Sequence, residues 1–381
     1  MTLNSPTRRG SAVAAVVTAV IVLSPMRSSA ARDLWLEPRC RELPSSEIGP
    51  FVNLKDGSLL AIGDNAVIVS EDNGRTWSEP HKIHDGPKPG IPSRGVLLRT
   101  CDDVIVLVYM DFSTQESIVS GWDAATAEPP EGGRRAVWAI RSLDEGNTWM
   151  DRQKIFEGYC GALINIIQTN GGRIVVPVQR LLRNPGRNGQ VTYSSADNGR
   201  TWKESNVIDI GGRGFEDGAF EGTVAELSDG RLLMFMRTTR DYFWRAYSDD
   251  GGISWHEIGP SRIDASNSPG YLARLDSGRL VLAWNRLALE GKKPRRGSAS
   301  RDALSHSQRG NEVSWQRNEL SLTFSDDDGK TWTRPVVIAR SPGTEIRYPY
   351  IFERRPGELW ITTRFRPHLR VRIQEEEFVR E

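Results

Sequence analysis

Along most of the chain, short apolar runs come in pairs around a polar turn that usually carries glycine. The pairs read "FVNLKDGSLLAI" (51–62), "VLLRTCDDVIVLVY" (96–109), "INIIQTNGGRIVVPV" (164–178), "VAELSDGRLLMFM" (224–236), "LARLDSGRLVLAW" (272–284) and "IFERRPGELWITT" (351–363). Short alternating runs closed by such turns are β-hairpins, so the pattern predicts six of them. A second motif follows five of the six: "VSEDNGRTW" (69–77), "RSLDEGNTW" (141–149), "SSADNGRTW" (194–202), "YSDDGGISW" (247–255) and "FSDDDGKTW" (324–332). In this box, Ser and Asp side chains can accept from or donate to nearby backbone, Gly permits positive φ, and Trp can pack between neighbouring sheets. The box is therefore itself a turn between two strands. Too few oxygen ligands stand in calcium-loop order for a metal reading.

Hairpin plus box makes a four-stranded antiparallel meander, and repetition of such a unit is the signature of a ring. The expected fold is all-β, a six-bladed β-propeller. The last unit lacks a box and ends near "LRVRIQ" (369–374). Its outer strand is expected from the N-terminus around "DLWLEP" (33–38), which would close the ring. One propeller over 32–381 is expected, with no second domain.

Composition adds less. Twelve Trp and 36 Gly against five His suit β-structure with tight turns and exclude a His-rich metal site; no cofactor is expected. Residues 1–31 place Arg8 and Arg9 ahead of "SAVAAVVTAVIVL" (11–23) and a small-residue "SSAA" (28–31), the order of a signal peptide. That apolar run is too short to span a bilayer. The expected location is secreted or periplasmic, with no membrane span after cleavage. The net charge is +1, and loss of Arg8, Arg9 and Arg27 leaves −2, so nothing calls for nucleic acid. Cys40, Cys101 and Cys160 have no Cys-x-x-Cys spacing, which leaves thiols or one disulfide plus a free cysteine.

In a meander, tips and boxes share one end of each blade. The opposite end holds residues eight or nine before each tip (Glu47, Arg94, Ala162, Glu221, Ser268, Tyr348) and about seven after it (Asp64, Gln179, Arg237, Asn285, Arg364, with Asp111 one further on). Arg317 stands eight before the fifth box. A tyrosine, arginines and acids thus converge where inner strands line the axis, which is where a site is expected.

These residues resemble the sialidase (neuraminidase) superfamily, six-bladed propellers with boxes of this kind. "GYCGALINIIQTNGGRIVVP" (158–177) is similar to the family's third-blade segment. "FEGTVAELSDGRLLMFMR" (220–237) is similar to the stretch bearing a catalytic Glu and, sixteen residues on, an arginine of the carboxylate-binding triad, which implies those roles for Glu221 and Arg237. "SWQRNELSL" (314–322) resembles the segment of another triad arginine, implying Arg317. "RYPYIF" (347–352) resembles the nucleophile segment, implying Tyr348. The sequence departs at the family's Arg-Ile-Pro motif, where "EIGP" (47–50) places Glu47. It departs again where the family has a Glu steadying that arginine, since "LWITTRF" (359–365) places Arg364 there. An exchanged Glu47–Arg364 pair beside Tyr348 is expected, with Arg364 as a third cation and Arg94 beside the pocket.

The resemblance implies a secreted exo-glycosidase that releases a terminal, acidic sugar from a glycan or glycoconjugate with retention. Tyr348 would be the nucleophile, Glu221 its base, and Asp64 the acid, with Asp111 a second candidate for it. A neutral tyrosine suits a sugar whose own carboxylate would repel an anionic nucleophile. A non-catalytic glycan-binding propeller and a lyase on an acidic polysaccharide are the alternatives.

Overall fold

The computed structural model describes Met1 and residues 34–380, apart from 64, 85–94, 112–121, 124–127, 130–131, 133, 295, 298–312 and 366–367. Six four-stranded antiparallel blades surround a central axis. Their inner strands are Phe51–Asn53, Val96–Arg99, Ile167–Gln168, Phe220–Glu226, Tyr271–Arg274 and Pro349–Arg355. Second strands such as Leu232–Arg237 and Glu358–Thr363 are buried along nearly their whole length, because each lies between two flanking blades. Buried Val, Ile, Leu and Phe from adjacent blades merge into shared clusters rather than six separate cores.

All five boxes form the same local network. In the first, Ser70 Oγ donates to Asp72 Oδ1 (2.9 Å) and accepts from Gly74 N–H (2.8 Å). Asp72 in turn accepts from the Thr76 N–H and hydroxyl (2.8 and 2.7 Å). Those bonds, led by the Thr76 amide, hold the Asp72 carboxyl at about 2, and Asp327 is held at about 2 in the same way. The box glycine, at positive φ, faces the neighbouring blade. Gly146 meets Leu60, Gly199 meets Val106, Gly252 meets Val175, Gly329 meets Leu233, and Gly74 meets Trp360 of the last blade. The boxes are thus the seams of the ring.

Closure differs from the expected arrangement. The outer strand of the last blade is Arg41–Glu42, paired with Val371 and Arg372. The alternating "DLWLEP" stretch instead supplies Trp35–Leu36, a fifth strand on the edge of blade 5 opposite Ala339 and Arg340. Arg340 lies over the Trp35 ring at 5.2 Å and Glu37 N–H donates to Ile338 O, so this stretch is claimed by blade 5 before the chain reaches blade 6. Cys40, Cys101 and Cys160 are all free thiols.

Candidate active site

Residues seven beyond each tip stand where the second strands end: Arg237 closes Leu232–Arg237, Asn285 follows Leu280–Trp284, and Arg364 follows Glu358–Thr363. Buried amides tie this end together. Asn165 accepts from Val224 N–H (3.0 Å) and donates to the carbonyls of Val224 and Leu272 (2.7 and 3.0 Å). Asn285 donates to Glu319 O and Ile346 O, both at 2.8 Å.

On that frame, Tyr348 Oη donates to Glu221 Oε1 across 2.7 Å. Glu221 enters the inner strand of blade 4 and Tyr348 precedes that of blade 6, both with left-handed backbone (φ 50° and 56°). For side chains of this kind that conformation costs of order 1 kcal/mol or more and persists only where packing enforces it. At Glu221 it coincides with a break in strand register between Phe220 and Thr223. The break turns the carboxylate toward the axis instead of leaving it in the pleat.

Arg237 joins the pair. Its Nη1 donates to Glu221 Oε2 (2.7 Å) and lies 3.3 Å from Tyr348 Oη. Its Nη2 donates to Glu216 (2.7 Å) and its Nε to Asn267 Oδ1 (2.6 Å). Burial alone would lower this guanidinium's pKa, but Glu221 and then Glu216 lift it above the ordinary arginine value. Burial first, and then Glu221, push the Tyr348 phenol above its usual range, while Arg237 and Arg317 pull the other way.

Arg317 is nearly as buried and has fewer partners. Its Nη2 donates to Asn267 O (2.6 Å), the nearest carboxylate, Glu345, lies 3.8 Å from Nη1, and Nε has no partner among the described residues. Burial, followed by repulsion from Arg237, brings its pKa down to about 10. It remains charged at neutral pH, and a buried cation held this loosely favours an anionic ligand.

Glu47 and Arg364 do not meet. Arg364 reaches across the axis to blade 3, donating from Nη1 to Leu163 O and from Nη2 to Ile164 O (3.1 Å). Glu47 is half-buried and accepts from Ser46 Oγ (3.0 Å), on a stretch bound to blade 6 through Thr362 and Ile48 O (2.6 Å). Two carbonyls near the axis satisfy the guanidinium, so the exchanged pair is not formed. Asp111 is buried at the end of the second strand of blade 2. Asp64 and Arg94 lie outside the described residues.

The sequence reading missed Glu216, Asn267, Glu345 and Arg347. Glu216 and Asn267 sit in loops entering inner strands, beyond the reach of a strand-end rule. Arg347 stands beside Tyr348, where adjacency alone was the available signal.

A family model described as a BNR repeat-like domain matches residues 64–361. The sialidase of Micromonospora viridifaciens is 25% identical over 335 residues, covering 79% of this chain and 47% of that protein. The sialidase of Paraclostridium sordellii is 26% identical over 255 residues, 57% of this chain and 59% of that one. The chain thus spans about half the length of the curated relatives it matches. The solved intramolecular trans-sialidase from Ruminococcus gnavus, in complex with oseltamivir carboxylate, aligns with a TM-score of 0.54 at 16% identity. That alignment covers 89% of this chain and 96% of that one, a likeness of fold.

Proposed function

The chain belongs to the BNR repeat-like family within the sialidase superfamily, and from that membership we propose that it is an exo-glycosidase releasing a terminal acidic sugar from glycans. The observation that carries this reading is the 2.7 Å hydrogen bond from Tyr348 to Glu221, with Arg237 on the second carboxylate oxygen. Tyr348 Oη attacks the anomeric carbon as the glycosidic C–O bond breaks, and its proton passes to Glu221. Arg237 steadies the ionised Glu221 and the oxygen that becomes phenolate-like. The leaving oxygen takes a proton from an acid, for which Asp64 remains our candidate. Water then attacks the tyrosyl intermediate, Glu221 returns the proton, and the configuration is retained. The incompletely partnered Arg317 supports a carboxylated sugar, with Arg94 a further contact by position. The N-terminal 31 residues support export of the mature protein.

Aryl glycosides of several acidic and neutral sugars test this. An acidic one should turn over, and Tyr348→Phe should reduce the rate at least ~10³-fold without unfolding the protein. Full activity in Tyr348→Phe overturns the tyrosine mechanism. Binding of an acidic sugar without turnover of any glycoside establishes the non-catalytic alternative instead.

A further inference from the structure

We infer that Arg347 and Arg317 together form the substrate's carboxylate clamp, and that Glu345 is an internal, displaceable carboxylate occupying it in the free protein. The inference rests on the acidic-sugar reading above. Its starting point is the division of labour among the arginines. Arg237 commits Nε and both terminal nitrogens to Asn267, Glu216 and Glu221. Arg364 commits both terminal nitrogens to backbone carbonyls. Neither is well placed to grip an incoming carboxylate with two parallel N–H groups.

Arg317 and Arg347 are different. Both converge on one oxygen, Glu345 Oε2, which lies 3.8 Å from Arg317 Nη1 and 2.6 Å from Arg347 Nε. The first distance is too long for a hydrogen bond. The second is close, yet the Arg347 Nε–H is not aimed at the carboxylate, so the contact is ionic rather than directional. Two guanidinium groups therefore share one poorly gripped carboxylate. The Glu345 side chain is 28% exposed and Arg347 23%, against 4% for Arg317, so this corner opens outward from a buried cation.

Rigid supports surround it. Ile346 N–H donates to Arg317 O (2.6 Å), which ties the 345–348 segment to the strand entry bearing Arg317. Arg347 stacks over Phe365 at 4.2 Å, and Phe365 in turn meets the Tyr348 ring edge-on at 4.9 Å. The left-handed Tyr348 bends the chain there, and the Arg347 guanidinium lies 5.8 Å from the neighbouring phenol ring. A carboxylate held between Arg317 and Arg347 would therefore lie beside the nucleophile.

Binding is measured by calorimetry in a Tyr348→Phe parent, which separates it from turnover, with N-acetylneuraminate and glucuronate as acidic probes and galactose as the neutral one. Glu345→Gln should bind the better acid about tenfold more tightly, since no internal carboxylate competes, and leave galactose unchanged. Arg347→Met should weaken the acid at least ~10-fold, with partial recovery in Arg347→Lys, which restores charge but not the two-pronged geometry. A merely structural role for Glu345 cannot produce a gain. If Glu345→Gln weakens the acid as Arg347→Met does, Glu345 positions the arginine and the displaceable-carboxylate inference falls. If neither acid responds to either change, the clamp is elsewhere. Failure of both acids to bind the parent overturns the acidic-sugar reading itself, and the clamp with it.

Discussion

Tyr348 and Glu221, 127 positions apart, meet through a 2.7 Å hydrogen bond formed between two left-handed residues at the inner edges of blades 4 and 6. Neither conformation is demanded by a turn of the kind that carries the positive-φ Asn and Asp residues elsewhere in this chain. Both are held by what surrounds them, so the pair is preorganised at some cost to the backbone.

Glu221→Gln should keep the hydrogen bond while removing the proton acceptor. Activity on the best substrate should fall by about 10²–10⁴-fold, the usual worth of a positioned base. The Tyr348 phenol should then titrate at lower pH than in the parent, because after burial the largest influence raising it is the Glu221 charge. Tyrosinate absorbance followed against pH checks this, and an unmoved titration would separate Glu221 from the phenol.

Arg237→Met should be more damaging to stability than to packing alone. It leaves Glu216 and buried Glu221 facing one another without their shared cation, and breaking a buried pair in this way costs about 3–5 kcal/mol. Arg237→Lys should recover only part of that, since one ammonium cannot span Glu216, Glu221 and Asn267 together. Denaturant melts of both variants distinguish these outcomes.

The architecture was readable because its signals are local. A polar-glycine tip and a Ser-x-Asp-x-Gly turn each carry their own hydrogen-bonding logic, and counting outward from the tips located Glu221, Arg237, Arg364 and Tyr348 at one end of the ring. What escaped was non-local or too short. Two-residue strands such as Trp35–Leu36 and Arg41–Glu42 have no periodicity to distinguish blade 5 from blade 6. The partner of Arg364 is a pair of backbone carbonyls, which no side-chain pattern encodes. Glu216 and Asn267 reach Arg237 from loops whose paths depend on neighbouring blades.

Alkaline pH should unfold the protein steeply. Burial pushes the Cys40 and Cys160 thiols from 9.0 up to about 12, and raises the Tyr271, Tyr348 and Tyr350 phenols above their usual range. A group whose pKa is raised by folding contributes its full stability below the unfolded value and loses it as pH climbs toward the folded one. The loss should therefore begin near pH 9 with the thiols and deepen above pH ~10 with the phenols. Each thiol costs up to about 4 kcal/mol once fully ionised. Melting temperatures across pH 7–11 test this, and Cys160→Ala should flatten the first part of the decline. A flat profile through pH 10 would contradict it.

The ring's seams make the sharpest prediction about folding. Gly146 has φ 88° and a Cβ placed on it would stand 2.5 Å from Leu60 Cδ1 in the preceding blade. Gly230, at the tip of the blade 4 hairpin, has nearly the same φ of 85° with nothing within 4 Å. Gly230→Ala therefore measures backbone strain alone, about 1 kcal/mol. Gly146→Ala adds an inter-blade overlap to the same strain and should cost about 2–4 kcal/mol in all. If the excess comes from Leu60, removing that side chain should recover part of it. Leu60→Ala is itself destabilising, by about 2–5 kcal/mol, but the double variant Leu60→Ala/Gly146→Ala should be more stable than the two single losses predict. A coupling of at least ~1 kcal/mol in that direction identifies the box glycine as the point where one blade is fitted to the next. Simple additivity would mean that the box serves its own turn and leaves the seam to the apolar strands.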